Sequence, residues 1–323
     1  MSYNHVSMAL FIAAHYDGSL VVYDKEKEDA PFTSESPPSP QNTTNTPHLH
    51  MKKSVQSPNQ KSNPVAYYRP STSRINALAF SPSGNTLATV SEDGTLRLLD
   101  LNTETLTDVF TSYYGGLTCL AWSPDGVYIA TGGQDDLISI WSVSDKSLVA
   151  RCVGHHSWVS AVSFDAWRCD DKTYRFGSVG QDCRLLLWDF SVGMLRRPRV
   201  GSTRPSVSST IAGRNASSTS LSKMNSGSGI RPESRGLVGG DAAPDADADE
   251  DEIMHPVAPR SQVAMLPPVL SQEIDEHPLF WLGFEDDAIL TSCKRGMLVL
   301  LFFSFSLLYL LPLFCSGRYR CPE

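Results

Sequence analysis

The chain of 323 residues contains no CxxC pair, although it has seven cysteines. They are scattered at 119, 152, 169, 183, 293, 315 and 321. An odd count at wide spacing implies no disulfide framework or zinc finger and fits a reducing compartment. An excess of basic charge is missing too. The formal net charge is -8 at pH 7 and the pI is about 5.5, so no general nucleic-acid surface is expected. There is no Gly-rich phosphate loop, no HExxH and no GxSxG, which removes the commonest signatures of nucleotide, zinc-peptidase and serine-hydrolase chemistry. No secretory leader is read at the start, where the apolar run "MALFIAA" is short and ends in the turn "HYDG". These absences lead to an expectation of a non-catalytic protein with no cofactor and no metal site, in the cytoplasm or the nucleus.

What is present divides unevenly. Residues 31–70 are rich in Pro, Ser, Asn and Thr, and residues 196–252 pass through "NASSTSLSKMNSGSG" to end in "DADADEDE". Such composition cannot bury enough apolar surface to offset chain entropy. The expected organisation is therefore a partial repeat at 1–30, a disordered insert at 31–70, three full repeats at 71–195, a disordered linker with an acidic run at 196–271, and a partial repeat at 272–294.

The repeats themselves are legible. "INALAFSPSGNTLATVSEDGTLRLLDL" (75–101) lies over "LTCLAWSPDGVYIATGGQDDLISIWSV" (117–143) at a constant offset of 42 residues. A third copy runs from "VSAVSFDAW" to "FGSVGQDCRLLLWDF" with a five-residue insertion, and "LFIAAHYDGSLVVYD" and "FWLGFEDDAILTSCK" are fragments of two more. Within a copy, apolar residues alternate with small or polar ones, the period of a strand. "SPSG" and "SPDG" supply turn chemistry, and "EDG", "QDD" and "YDG" mark hairpins. Four strands in about 42 residues is the period of a propeller blade, so the fold class is all-β.

These copies resemble WD-repeat β-propellers, with about three full and two partial blades. The best copy has "GHHSWVSAVSF" at its start and "LLLWD" at its end. The resemblance implies a hydrogen-bonded chain inside the blade through His155, Ser178, Asp182 and Trp188. Thr131, Asp135 and Trp141 match in the preceding copy, Thr89 and Asp93 in the one before, and Asp17 in the first. A buried Asp at a hairpin must find donors, and an imidazole, a hydroxyl and an indole N–H can supply them. His155, His156 and Cys152 could instead be imagined as a nucleophile pair or metal site, and the recurring Asp residues as calcium ligands. Their once-per-repeat recurrence favours the structural role.

The stretches "AAHYDGSLVVYDKEKEDAPF", "YYGGLTCLAWSPDGVYIATGGQDDLISIWS" and "YRFGSVGQDCRLLLWDFS" are similar to one WD-repeat subfamily. It comprises the catabolite-repression proteins of filamentous fungi of the CreC type and the animal WD-repeat activators of ubiquitin-specific proteases. The resemblance implies a scaffold that binds and stabilises or activates a deubiquitinase in carbon catabolite repression. Tyr113, Tyr114 and Trp158 precede first strands, where loops open onto one face, and are the candidate partner contacts. The alternative is that they pack between blades. Against the family pattern the sequence looks cut short at both ends.

From Leu298 to Cys315 the chain is almost wholly apolar, about the length that spans a bilayer. Register with the other copies expects Asp at 295, where Arg295 stands, and a Trp-Asp that does not follow. Residues 295–323 are therefore expected to be either non-native sequence, such as an unspliced intron, or a membrane anchor, with buried strands as the third reading. Only a genuine 298–315 anchor would make a membrane a partner; the second functional reading is a membrane-tethered adaptor on the same propeller.

Overall fold

The computed structural model describes residues 2–3, 10–29, 50–53, 62–195, 253–257, 259, 263–296, 298–304 and 307–312. Five sheets follow one another along the chain. The first contains β1 (Ser2–Tyr3), β2 (Leu10–Ala14), β3 (Leu20–Asp24), β5 (His50–Lys53) and β7 (Ala66–Arg69), in the order β1-β2-β3-β7-β5. Two short strands beside it, β4 (Glu28–Asp29) and β6 (Ser62–Asn63), pair in parallel. The second sheet is a meander of β8 (Ile75–Phe80), β9 (Thr86–Ser91), β10 (Thr95–Asp100) and β11 (Thr105–Thr111). The third repeats it with β12 (Leu117–Trp122), β13 (Tyr128–Gly133), β14 (Leu137–Ser142) and β15 (Ser147–Val153). The fourth has β16 (Val159–Phe164), β17 (Thr173–Gly180) and β18 (Arg184–Ser191), followed by the short helix α1 (Val192–Leu195).

The turns form for the reasons their residues suggest. In "SPSG" and "SPDG" the amides of Gly84 and Gly126 donate to the carbonyls of Ser81 and Ser123, and both glycines take positive φ. Apolar residues on the two faces of each sheet pack against the neighbouring sheets. Between the third and fourth sheets lie Ile140, Phe176, Trp188 and Phe190, all nearly inaccessible; between the second and third lie Val90, Leu96, Phe110 and Ile129. The first strands β8, β12 and β16 pack side by side, so the sheets stand as blades around them.

The outer strands depart from expectation. Within the expected insert at 31–70, residues 50–53 and 62–70 are described, and β7 completes the first sheet by pairing with β3; residues 31–49 and 54–61 lie outside the described residues. Within 196–271, residues 196–252, 258 and 260–262 lie outside them as well, but residues 253–257, 259 and 263–271 are described and their strands form a strap. Strand β19 (Met254–His255) adds in parallel to β11, β20 (Ala264–Leu266) adds in parallel to β15, and β21 (Leu270–Glu273) pairs antiparallel with β18 as the fourth strand of the fourth sheet. The strap thus runs along the outer edges of three successive sheets. Its start is pinned by His255, whose ring stacks on Phe110 with centroids 4.6 Å apart and whose Nε2 lies 2.8 Å from Oδ1 of Asp108.

The fifth sheet extends into the apolar tail. β22 (Leu279–Phe284) and β23 (Ala288–Cys293) are followed by β24 (Leu298–Ser304) and β25 (Leu307–Pro312), which pair in sequence to make four strands. The stretch expected to be non-native or a membrane anchor is therefore laid down as strands through 298–304 and 307–312. The partial repeat at 272–294 becomes a full sheet. Arg295 does not prevent the hairpin, because Gly296 supplies the positive φ (74°) and its amide donates to the Cys293 carbonyl. Six residues beyond Asp93, Asp135 and Asp182 stand Leu99, Trp141 and Trp188; six beyond Arg295 stands Leu301, which is fully buried. Leu99 already shows that an apolar side chain can take the Trp position. Residues 313–323 lie outside the described residues. Among the described residues no helix is long and apolar enough to cross a membrane.

Candidate protein interface

The polar chain expected in the fourth sheet is present. His155 Nδ1 lies 2.9 Å from Oδ2 of Asp182, and its Nε2 lies 2.7 Å from Oγ of Ser178, which receives the Trp188 indole N–H at 2.8 Å. A carboxylate can only accept, so Nδ1 carries the hydrogen; Ser178, already receiving from the indole, gives its own hydrogen to Nε2. The His156 amide also donates to Asp182. Burial opposes the charge on Asp182, but His155 and these amides outweigh it and hold the carboxyl below the usual range. Cys152 is buried in β15, where burial alone raises its thiol pKa, so it is no nucleophile for His155.

The other sheets solve the same problem with different residues. In the third, the Trp141 indole donates to Thr131 at 2.9 Å, but Asp135 has no imidazole. Its carboxyl is pushed up, chiefly by burial, with the Leu137 amide and the Arg151 charge acting the other way. In the second, Asp93 accepts from Arg97, Ser91, Thr95 and Ser71. Burial there is outweighed by the Arg97 guanidinium, and the carboxyl is held well down. Thr89 is buried in β9 but is not among these partners of Asp93. Asp17 accepts from the amide and hydroxyl of Ser19 within its own turn. The recurring Asp residues are thus each held in their own sheet. Among the described residues no group of three or more His, Cys, Asp or Glu is placed to hold a metal ion.

These hairpins stand at the same end of the sheets as the loops that open each first strand. The backbone ties the two together: the amides of Glu92, Gln134, Gln181 and Lys294 donate to the carbonyls of Arg74, Gly116, Trp158 and Pro278. Neighbouring sheets interlock as well, since the side-chain amide of Asn76 in β8 donates to the Leu117 carbonyl of β12 at 2.7 Å. Gly94 takes φ of +77°, and a Cβ there would lie 2.5 Å from the Gly115 carbonyl oxygen, so only glycine fits. Gly18 is in the same position against Ser71.

On this loop face the large apolar side chains point outward. Tyr113, Tyr114 and Trp158 are 58%, 75% and 46% exposed, so the structure places all three on the surface rather than between blades. Tyr113 stands at the position of His155 in the fourth sheet and Ser71 in the second, both of which turn inward to their Asp. Three further aromatics at this end were not singled out from sequence: Tyr16 in the β2–β3 turn, and Phe280 and Trp281 at the start of β22, each close to half exposed or more. Glu92, in the turn between β9 and β10, has its carboxylate fixed by the amides of Asn76 and Gln134 at 2.8 and 2.7 Å, which also lower its pKa. Trp167, also exposed, lies in the loop at the opposite end of β16. At this face the described residues offer exposed aromatic area on a stiff loop framework, which suits protein recognition.

The description "WD domain, G-beta repeat" matches residues 62–100 and 104–142. The chain is 38% identical over 308 residues to the UBP9-binding protein bun62 of Schizosaccharomyces pombe, an alignment taking in 88% of this chain and 51% of that protein. The chain therefore spans about half the length of this curated relative.

Proposed function

We propose that the chain, whose residues 62–100 and 104–142 match the WD domain, G-beta repeat, is a non-catalytic WD-repeat scaffold that binds a ubiquitin-specific protease through the loop face of its sheets. The observation that carries the partner is the likeness to a protein named for binding UBP9. The exposed aromatics of the loop face support that face as the seat of such a partner. Aromatic side chains lose little rotamer freedom on binding and supply large contact area, which is why they dominate interface energetics. The proposal extends to consequence: binding stabilises or activates the protease, in the cytoplasm or nucleus, and acts in carbon catabolite repression.

The test is reconstitution with UBP9. The expected result is a co-eluting complex in size-exclusion chromatography and a higher rate of ubiquitin-substrate cleavage when the chain is added. The Tyr113→Ala, Tyr114→Ala double variant should weaken the complex by about tenfold or more, as loss of hot-spot side chains does. No complex with UBP9 or another ubiquitin-specific protease would sink the binding proposal. A complex without change in turnover would remove activation alone. For repression, deletion of the gene should relieve glucose repression of an alternative-carbon reporter; an unchanged reporter would remove that part.

A further inference from the structure

We infer that Arg74 and Arg151 are positioning residues, each holding a tyrosine ring of the loop face in its binding orientation, and that Tyr16 carries that face onto the first sheet. This rests on the reading of the loop face as the protease-binding surface.

Two observations from unrelated elements carry it. The guanidinium of Arg74, in the loop that opens the second sheet, lies 4.4 Å from the ring centroid of Tyr16, which is 77% exposed. The guanidinium of Arg151, in β15 of the third sheet, lies 5.0 Å from the ring centroid of Tyr113. Arg151 is itself buried at 2% exposure, so a fixed cation lies beneath an exposed ring. A guanidinium over an aromatic face is attracted to the ring quadrupole. An exposed tyrosine without such a partner samples several rotamers and must lose that freedom when a partner binds; a ring already held has less to lose. Tyr113 could have turned inward, as His155 and Ser71 do at the same position. It turns outward, onto Arg151. The same device thus appears twice at one end of the molecule, built from a hairpin and loop in one case and a loop and outer strand in the other. Local packing accounts for either alone. A shared binding role accounts for the repetition on one face, with Glu92 of the β9–β10 turn also held by two amides.

The experiment measures UBP9 affinity for the full chain carrying Tyr16→Ala, Arg74→Met, Arg74→Lys and the Tyr16→Ala, Arg74→Met double. Arg74 is exposed, so its variants should keep the wild-type melting temperature. Tyr16→Ala should weaken binding by about tenfold. Arg74→Met should weaken it by about two- to fivefold, the worth of an exposed cation–π contact, and Arg74→Lys should restore most of that. The decisive reading is coupling: Arg74→Met should have no further effect once Tyr16 is Ala. The parallel pair, Arg151→Lys with and without Tyr113→Ala, should behave alike; lysine is used there because an apolar substitute would leave Asp135 beside an empty site.

Full additivity of Tyr16→Ala and Arg74→Met would mean that Arg74 touches the partner directly, and would overturn the positioning role. So would wild-type affinity in Arg74→Met when Tyr16→Ala is weak. If Tyr16→Ala binds normally while Tyr113→Ala and Tyr114→Ala do not, the extension to the first sheet falls and the loop-face reading stands. If the Tyr113, Tyr114 and Trp158 variants all bind like wild type, the loop-face reading falls and this inference with it.

Discussion

Remove the imidazole of His155 and the Asp182 carboxylate keeps only backbone donors, while Ser178 loses the acceptor for its hydroxyl hydrogen. Both groups are buried, so no water replaces the ring at full strength. His155→Ala should therefore destabilise the protein by about 2–4 kcal/mol, the cost of orphaning a buried charge and its neighbour. The urea midpoint of the variant measures this; a shift of a few tenths of a kcal/mol would show that the chain is ornamental. The residue scale is also where sequence reading worked best. His155, Ser178, Asp182 and Trp188 were legible because each is a specific chemical type at a fixed spacing. Thr89 was assigned by position alone, and the structure gives its place around Asp93 to Arg97, Ser91, Thr95 and Ser71. Nothing in the repeat offset announces that an arginine two residues beyond Thr95 will fold back on the turn. Tyr16 went unmarked for a similar reason: it reads as part of a turn, and only the fold shows that the turn shares an end with Tyr113.

The element scale turns on which strands carry their own signal. β8 to β10 and β12 to β14 do, because each alternates and is followed by turn chemistry. The strap strands do not: β19, β20 and β21 span two to four residues, too few for a period, and their partners lie far away in sequence. Pairing of that kind is a property of the neighbouring edge, so a composition shift at 196–252 was extended past the point where the chain returns. The apolar tail failed in another way. A run without polar alternation looks like a bilayer span, yet a strand covered on both sides has the same appearance. Leu301 is fully buried at the position of Trp141 and Trp188, in the third strand of the fifth sheet. Leu301→Ala should cost about 2–5 kcal/mol, as buried leucine truncations do. Chemical denaturation would read the loss, and an unchanged midpoint would remove the tail from the sheet.

For the whole molecule, acid is the informative variable. Burial resists ionisation at Asp93, Asp182 and Asp125, but hydrogen bonds and cations outweigh it, and all three stay below the ordinary carboxylate range. Unfolded, each titrates near pH 4, at about 3.9. The stability they give is thus fully present above that pH and is lost as the pH falls through their lower folded values. Asp135 runs the other way, its carboxyl being raised, and recovers a little as it protonates. The melting temperature followed by circular dichroism should be level from about pH 7 to 5 and fall below about pH 4, with the lowered carboxyls, Glu92 among them, outweighing Asp135. A melting temperature that rises toward pH 3 would reverse that balance. The strap, finally, sets a clock on assembly. The fourth sheet ends its third strand at Ser191 and receives its fourth only at Leu270, roughly 80 residues later; at about 5–20 residues per second a ribosome needs roughly 4–16 seconds to supply it. During that interval the newest edge of the nascent chain is an open template for stray strands. The first three sheets can pair their own strands before it begins, so it is the fourth sheet that waits for a strand of its own, while the outer edges of β11 and β15 wait for the strap.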